Sequence, residues 1–245
     1  DVEPGELLNC DGDGKVRRDV RSGVGVDSRC SEDDDGDRYY EWDDGAEYPS
    51  VTTIIGADPE KKQAIQNWRE SHPNPDHYRD RQGQLGRFVH RRVLNQFCVR
   101  ELPPEPLDPS LLDDDFEADV ETAVAMWDTA GIDPGPNPDV EVAVRSDEHE
   151  YAGRFDLLTT DGLLCDLKIS KQVRDSYRLQ AAAYWTALEE MDGYEAPREA
   201  AIVRLNPDPQ YNRDLTAKVE RITAEQKDYW FERFKKIQRI FNGET

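Results

Sequence analysis

The chain has 245 residues, with 53 acidic and 31 basic side chains, a net charge of −22 and an apolar share of 36%. That length can bury a sizeable core as one domain or two small ones. No apolar run approaches about 18 residues, so no membrane-spanning helix is predicted, and no basic-then-apolar leader is seen, so no signal peptide is expected.

Residues 1–38 are rich in Asp and Gly and read as a separate acidic arm or small polar subdomain. Asp11-Gly-Asp-Gly has the start of a calcium loop, but Lys15 stands where an oxygen ligand is needed and Ser22 where Glu is needed. From residue 39 to 245 the pattern is that of one domain. Arg38–Trp42 reads as a strand, followed by an Asp43-Asp44-Gly45 turn and Tyr48–Ile55. A helix over 60–70 is expected to bury Ile65 and Trp68, and 71–80 reads as a loop with Pro73 and Pro75. A helix over 84–100 places Gly86, His90, Val93, Leu94 and Phe97 on one face. Pro103, Pro104 and Pro106 end it. A further helix over 113–130 has Phe116, Val120, Val124 and Trp127 as its inner stripe.

Three strands are then predicted over 140–145, 151–158 and 163–169. They are followed by a helix over 175–191 closed by Gly193, a strand over 200–205, a further strand over 217–222 and a final helix. Thr223-Ala-Glu-Gln226 has the form of a capping box at the start of that helix. The order α-β-β-β-α-β predicts an α/β fold with a mixed sheet flanked by helices.

The total charge argues against nucleic acid as a partner, but its distribution does not. Of the 53 acids 31 are Asp, and of the 31 bases only nine are Lys. The acids are dispersed rather than gathered in a tail. This predicts a surface adapted to strong salt, as in the cytosol of a haloarchaeon or a cell infected by its virus. At 1 M salt the screening length is about 3 Å, so net repulsion from DNA nearly vanishes and contact-range charges decide. Cys10, Cys30, Cys98 and Cys165 include no CxxC pair, and none follows residue 165, so neither a zinc ribbon nor a four-Cys iron–sulfur cluster is expected. A Cys10–Cys30 disulfide stays open, with a cytosolic setting against it.

The hairpin over 151–169 can be read in two registers. A two-residue Asp161-Gly162 loop would mix charged and apolar side chains on each face. A three-residue loop, Thr160-Asp161-Gly162 with Gly162 left-handed, places Phe155, Leu157, Cys165, Leu167 and Ile169 on one apolar face. Misplacing one large apolar side chain costs about 1.5–3 kcal/mol, which favours the second register. Asp156 then opposes Asp166, and Arg154 opposes Lys168. Facing carboxylates repel, and a divalent cation between them, Mg²⁺ or Mn²⁺ from the oxygen ligands, converts repulsion into ligation. Lys168 can orient a water or offset charge on a phosphate, and Glu141 can serve through a water. Alternatively Arg154 and Lys168 simply pair with the two Asp on a solvated face, and His90 is a core histidine.

Gly153-Arg-Phe-Asp156, Asp166-Leu-Lys168, Gln180-Ala-Ala-Ala-Tyr184 and the preceding Gly86-Arg-Phe-Val-His90 together resemble the PD-(D/E)xK nuclease superfamily in its RecB-like, lambda-exonuclease-like branch, over about residues 48–190. The resemblance implies a restriction-endonuclease-like core. It implies metal bound by His90, Asp156 and Asp166, with the Leu167 carbonyl as a further ligand. Lys168 would be the catalytic lysine, and Gln180 and Tyr184 would support the site or touch the DNA backbone. Asp166 replaces the commoner Glu, and the cysteines of cluster-bearing relatives are missing. The implied activity is metal-dependent hydrolysis of DNA phosphodiesters, as an exonuclease in replication, recombination or end processing. The alternatives are an inert nuclease-like module that holds DNA or a partner, and a CRISPR-adaptation type nuclease without an iron–sulfur cluster. DNA contacts are expected from Arg154 and Gln180, and from Arg87 and Arg91 within an arginine cluster over 79–100 whose alternative role is pairing with surface Asp. No base-reading motif is evident, and a homo-oligomer remains open.

Overall fold

Two sheets organise the chain in the computed structural model, which describes residues 9–10, 15–17, 28–33, 36–98 and 101–244. The first is an antiparallel meander of β1 (Asn9–Cys10), β2 (Lys15–Arg17), β3 (Ser28–Glu32), β4 (Arg38–Trp42) and β5 (Glu47–Pro49), paired in that order. The boundary expected at residue 38 falls inside this meander, because β3 and β4 pair directly from Ser28↔Trp42 to Glu32↔Arg38. Alternation in β4 buries Tyr40 and Trp42, which pack on Ala143 and Ala152 of the second sheet. The Asp11–Ser22 segment, read against a calcium loop, lies largely outside the described residues. Cys30 is a free thiol, and the side chain of Cys10, its possible partner, lies outside the described residues.

A short helix, α1 (Val51–Gly56), follows, with the Ser50 hydroxyl accepting from Thr53 N at 3.0 Å. Next come α2 (Pro59–Ser71) and α3 (Pro75–Leu94). Two expectations fail here. Ile65 is 43% exposed, and α2 buries no residue, because its few apolar residues make too narrow a stripe to seat it on the core. The loop expected to about residue 80 is instead the start of α3: Pro75 sits in its first turn, where a missing N–H costs nothing, and opens the helix. The helix stops at Leu94, and Phe97 still packs toward the core, 5.7 Å from the Trp127 ring. Then α4 (Phe116–Trp127) buries Phe116, Val120 and Trp127 as the spacing predicts.

The second sheet contains β6 (Asp139–Ser146), β7 (Tyr151–Leu158), β8 (Leu163–Lys168), β9 (Glu199–Arg204) and β10 (Lys218–Ile222), in the order β10-β9-β8-β7-β6. Only β8 and β9 pair in parallel, across the helix α5 (Asp175–Glu190). The last helix, α6 (Ala224–Phe241), carries the full capping box expected from Thr223 and Gln226. Helices α1, α5 and α6 cover one face of the sheet, and α3 and α4 the other. The α-β-β-β-α-β order and a mixed sheet flanked by helices are therefore as expected. No helix among the described residues is long and apolar enough to cross a membrane.

The β7–β8 register is the one chosen by burial: Leu157↔Cys165 and Leu158↔Leu164, with Gly162 at φ +87° in the loop. One detail differs. Leu157, Cys165 and Leu167 face α3 and α4, but Phe155 lies in the core under α5. In the partner strand Val140 and Val142 divide the same way, and Glu141 between them has φ +53°. A left-handed residue breaks the two-residue alternation of a strand, so the sheet kinks at Glu141 and at Asp156 facing it.

Candidate metal centre

The kink opens the ladder between β7 and β8 just where the charged residues begin. The last paired residue of β7 on this side is Leu157. Beyond it Asp156 fills the gap with its side chain, and Oδ2 accepts from Leu167 N at 2.6 Å. Leu167 O on the same residue is held by His90 Nε2 of α3 at 2.8 Å. His90 Nδ1 stands 3.7 Å from Asp156 Oδ1. Helix α3 aims His90 inward because Leu85, Val89, Val93 and Leu94 seat its inner face on the core.

His90, Glu141 and Asp156 each offer a ligand atom, and all three atoms lie within 4.8 Å of one another. Mg²⁺ ligands stand 2.0–2.1 Å from the ion, so atoms on opposite sides of it are about 4 Å apart. Neighbouring ligands of such an ion are only about 3 Å apart, so the trio would close by up to about 2 Å to hold one. An imidazole with two carboxylates and a backbone carbonyl suits Mn²⁺, and its oxygen donors suit Mg²⁺. Burial and the charge of Asp156 push the Glu141 carboxyl above its ordinary range, with Arg154 opposing. Glu141 holds a left-handed backbone as well, of the kind that costs roughly 1–3 kcal/mol and clusters at functional sites.

Asp166 is 3% exposed. It stands outside the trio, because Lys168 holds it: Nζ donates to Oδ1 at 2.8 Å and lies 2.8 Å from Oδ2, which is buried with no directed hydrogen bond. Burial pushes Asp166 up to about 6 even against Lys168. Burial pulls Lys168 down, but Asp166 and Asp156 outweigh it, and its pKa is raised. Lys168 is thus a fixed cation, suited to offsetting negative charge and unsuited to taking a proton.

Helix α5 closes the corner. Gln180 Nε2 donates to Tyr184 Oη at 2.9 Å, and Tyr184 is buried. Tyr184 lies against Gly153: a Cβ there would come 2.3 Å from Tyr184 Cε1. The glycine of the Gly153–Asp156 motif is therefore required by the tyrosine of the Gln180–Tyr184 motif. Arg154 stands 3.7 Å from Glu141, beside the centre rather than opposite Lys168 on an open face.

The arginines expected to meet DNA stand differently. Arg91 and Arg87 converge on Glu105, Arg87 at 3.6 Å, and the charge of Arg91 also reaches Glu141 at the centre. Sequence reasoning took the 103–106 segment only as a helix stop. It also passed over two residues. Tyr40 is buried and pushed up to about 12 by burial, within the fields of Arg154 and Glu141. Tyr177 has its ring centroid 5.3 Å from Lys168 Nζ. The alternation of Tyr40 with Trp42 was the available signal for the first; Tyr177 had none.

No protein-family model and no curated protein matches the chain. Among solved structures, one titled "Crystal structure of SSO0001" is similar at 14% identity and a TM-score of 0.30, over 51% of this chain and 60% of that one.

Proposed function

We propose that this protein is a divalent-metal-dependent deoxyribonuclease that hydrolyses phosphodiester bonds, acting as an exonuclease in DNA replication, recombination or end processing. The observation that carries the reading is the meeting of His90, Asp156, Asp166 and Lys168 on one strip of β8. This chemistry needs an anionic ligand set with one fixed cation beside it. A bound Mg²⁺ or Mn²⁺ would supply Lewis acidity toward a phosphoryl oxygen and lower the pKa of a water. His90, Glu141 and Asp156 would hold the ion, with Asp166 joining once its hold on Lys168 loosens. Lys168 would then face the phosphate and offset the charge that develops there. Gln180 and Tyr184 brace the corner from behind.

The closed Asp166–Lys168 pair favours a second reading, a nuclease-like module that holds DNA or a partner without cutting. Linear and circular DNA incubated with Mg²⁺ or Mn²⁺ in strong KCl separates the two. Cleavage lost in Asp166→Ala and Lys168→Ala supports the enzyme, and degradation of linear DNA alone supports an exonuclease. Wild-type protein that binds DNA and cuts neither form leaves the module.

A further inference from the structure

Three residues beyond Lys168 the chain enters a patch that the metal centre does not use. Lys171 is exposed there, and its ammonium nitrogen lies 4.2 Å from the ring centroid of Tyr211 and 5.6 Å from that of Tyr78. The aromatic run continues along α2 and α3, with Tyr78 and His72 centroids 4.8 Å apart and His72 and Trp68 4.9 Å apart. Tyr211 is 44% exposed, and Tyr78, His72 and Trp68 are half-buried, so ring surface faces water along the run.

The cations of this patch are not neutralised by nearby acids. Among the described residues, Lys171, Arg174, Arg204 and Lys61 have no carboxylate within 4.0 Å. Arg174 sits at the N-terminus of α5, where the helix dipole disfavours a positive charge. Burial lowers the pKa of Lys61; Asp58 opposes, and Arg174 adds to the lowering, so two cations stand side by side. Arg204 lies opposite Lys168 in the parallel β8–β9 register and donates to Lys171 O at 3.0 Å, which fastens this segment to the strand that carries the site. Three residues span at most about 10 Å, so the patch begins within a nucleotide or two of the metal centre.

Unneutralised cations interleaved with exposed aromatic faces match a polymer that alternates phosphates with flat bases. A duplex keeps its base faces stacked inside, so only an unpaired strand can lay bases on tyrosine rings. We propose that Tyr78, Lys171 and Tyr211 form a binding track for single-stranded DNA that leads its phosphates toward the metal centre. Stacking does not depend on counterion release, so the track keeps its grip in strong salt, where charge contacts weaken. The direction toward cleavage rests on the nuclease reading; the binding itself does not.

The test uses the full chain in strong KCl with EDTA and a fluorescent 20-nucleotide oligothymidylate, read by anisotropy. Lys171→Ala with Tyr211→Ala should weaken binding at least about tenfold, with less than a twofold change for a blunt 20-base-pair duplex. Tyr211→Phe, which keeps the ring, should bind as wild type does. Equal oligothymidylate binding by wild type and the double variant overturns the proposal, as does an equal loss of duplex binding. If the double variant melts early, Tyr211→Ala alone replaces it, with Tyr211→Phe as the control; unchanged binding there overturns the proposal too. Separately, wild-type protein with Mn²⁺ is offered thymidine 5′-(p-nitrophenyl phosphate), a substrate with one base. No hydrolysis there counts against the nuclease reading while leaving the binding result standing.

Discussion

Helix α3 has two charged sides that differ in how their charges are settled. On its outer side each arginine meets acids. Arg81 takes both oxygens of Asp113 at 2.6 and 2.8 Å and reaches Asp119 at 2.9 Å, Arg92 meets Glu117 at 2.6 Å, and Arg87 and Arg91 share Glu105. On its inner side His90 faces Glu141 and Asp156, with Asp166 close by; the cations at hand are Lys168 and Arg154, and Arg91, shared with Glu105, also acts on Glu141. The outer balance is closed by the protein itself. The inner side carries three carboxylates, of which the almost wholly buried Asp166 already has Lys168 as its partner. One helix thus separates arginines paired within the protein from a carboxylate-rich corner that, on the proposed reading, a cation would complete.

The sharpest way to break that contrast is to remove one residue from each side. Asp156→Ala and Asp166→Ala should each lower Mn²⁺-dependent DNA hydrolysis by about 10³-fold or more, since on the proposed reading each would remove a metal ligand. Arg91→Ala should change the rate only a few-fold, because Arg91 already has its partner in Glu105. Initial rates on a labelled linear duplex decide this. A comparable loss in Arg91→Ala would return that arginine to the DNA contacts expected from its position in the sequence.

The cation deficit also predicts a linkage to metal and to pH. Mn²⁺ at about 100 times its Kd should stabilise the fold by about 2.7 kcal/mol, a rise in Tm of roughly 5–10 °C for a chain of this size. Asp156→Ala should abolish the rise. Metal binding requires ionised carboxylates, and burial pushes Asp166 up to about 6. Protons therefore compete as pH falls through that value, and calorimetric Mn²⁺ affinity should fall about tenfold per pH unit below it. An affinity unchanged between pH 7.5 and 5 would remove Asp166 from the metal set.

Support of the corner is the next smaller effect. Gly153→Ala drives a methyl into the buried Tyr184 ring, with Cζ and Oη both 3.2 Å from the new carbon beyond the closer Cε1. Overpacking of this kind costs about 1–3 kcal/mol. Tyr184→Leu in the Gly153→Ala background should recover part of it, which calorimetric melting measures. A full loss with no recovery would place the strain in the backbone of β7 rather than in this contact.

These predictions divide along what the sequence makes legible. The β7–β8 register followed from burial and one glycine, because a one-residue slip moves every apolar side chain to the wrong face. His90 and Asp156 meet at Leu167 and Lys168 holds Asp166, but the paired register stops at Leu157 and does not set Asp156 opposite Asp166 or Arg154 opposite Lys168. The switch of Phe155 to the α5 side was not legible, because it depends on a left-handed Glu141 in the neighbouring strand. Nor were the arginine partners: Glu117 lies 25 residues from Arg92 and Asp119 lies 38 from Arg81, so only the docking of α4 on α3 unites them. Composition warned that arginines in so acidic a chain have many possible partners, but it could not say which ones find them. Helix α2 failed for a simpler reason. Ile65 and Trp68 have helical spacing, but two apolar residues on a polar helix do not make a buried face.

The smallest effects test the lattice on the outer side of α3. Arg81 is 13% exposed at its side chain and makes a two-pronged contact with Asp113 while also reaching Asp119; Arg92 is 41% exposed with one partner. Its three hydrogen bonds hold the Arg81 pKa well above the usual guanidinium range, with Asp113 the largest cause. Bidentate, half-shielded pairs keep their strength, whereas exposed single pairs contribute about 0–1 kcal/mol. Arg81→Ala should therefore lower stability by about 1–2 kcal/mol and Arg92→Ala by less than about 0.5 kcal/mol, read from denaturant midpoints at low salt. At 1 M KCl, where screening acts within about 3 Å, the Arg92 effect should vanish and most of the Arg81 effect should persist. If both effects vanish together, the outer side is a loose charge cloud, and the contrast with the inner side then reduces to burial alone.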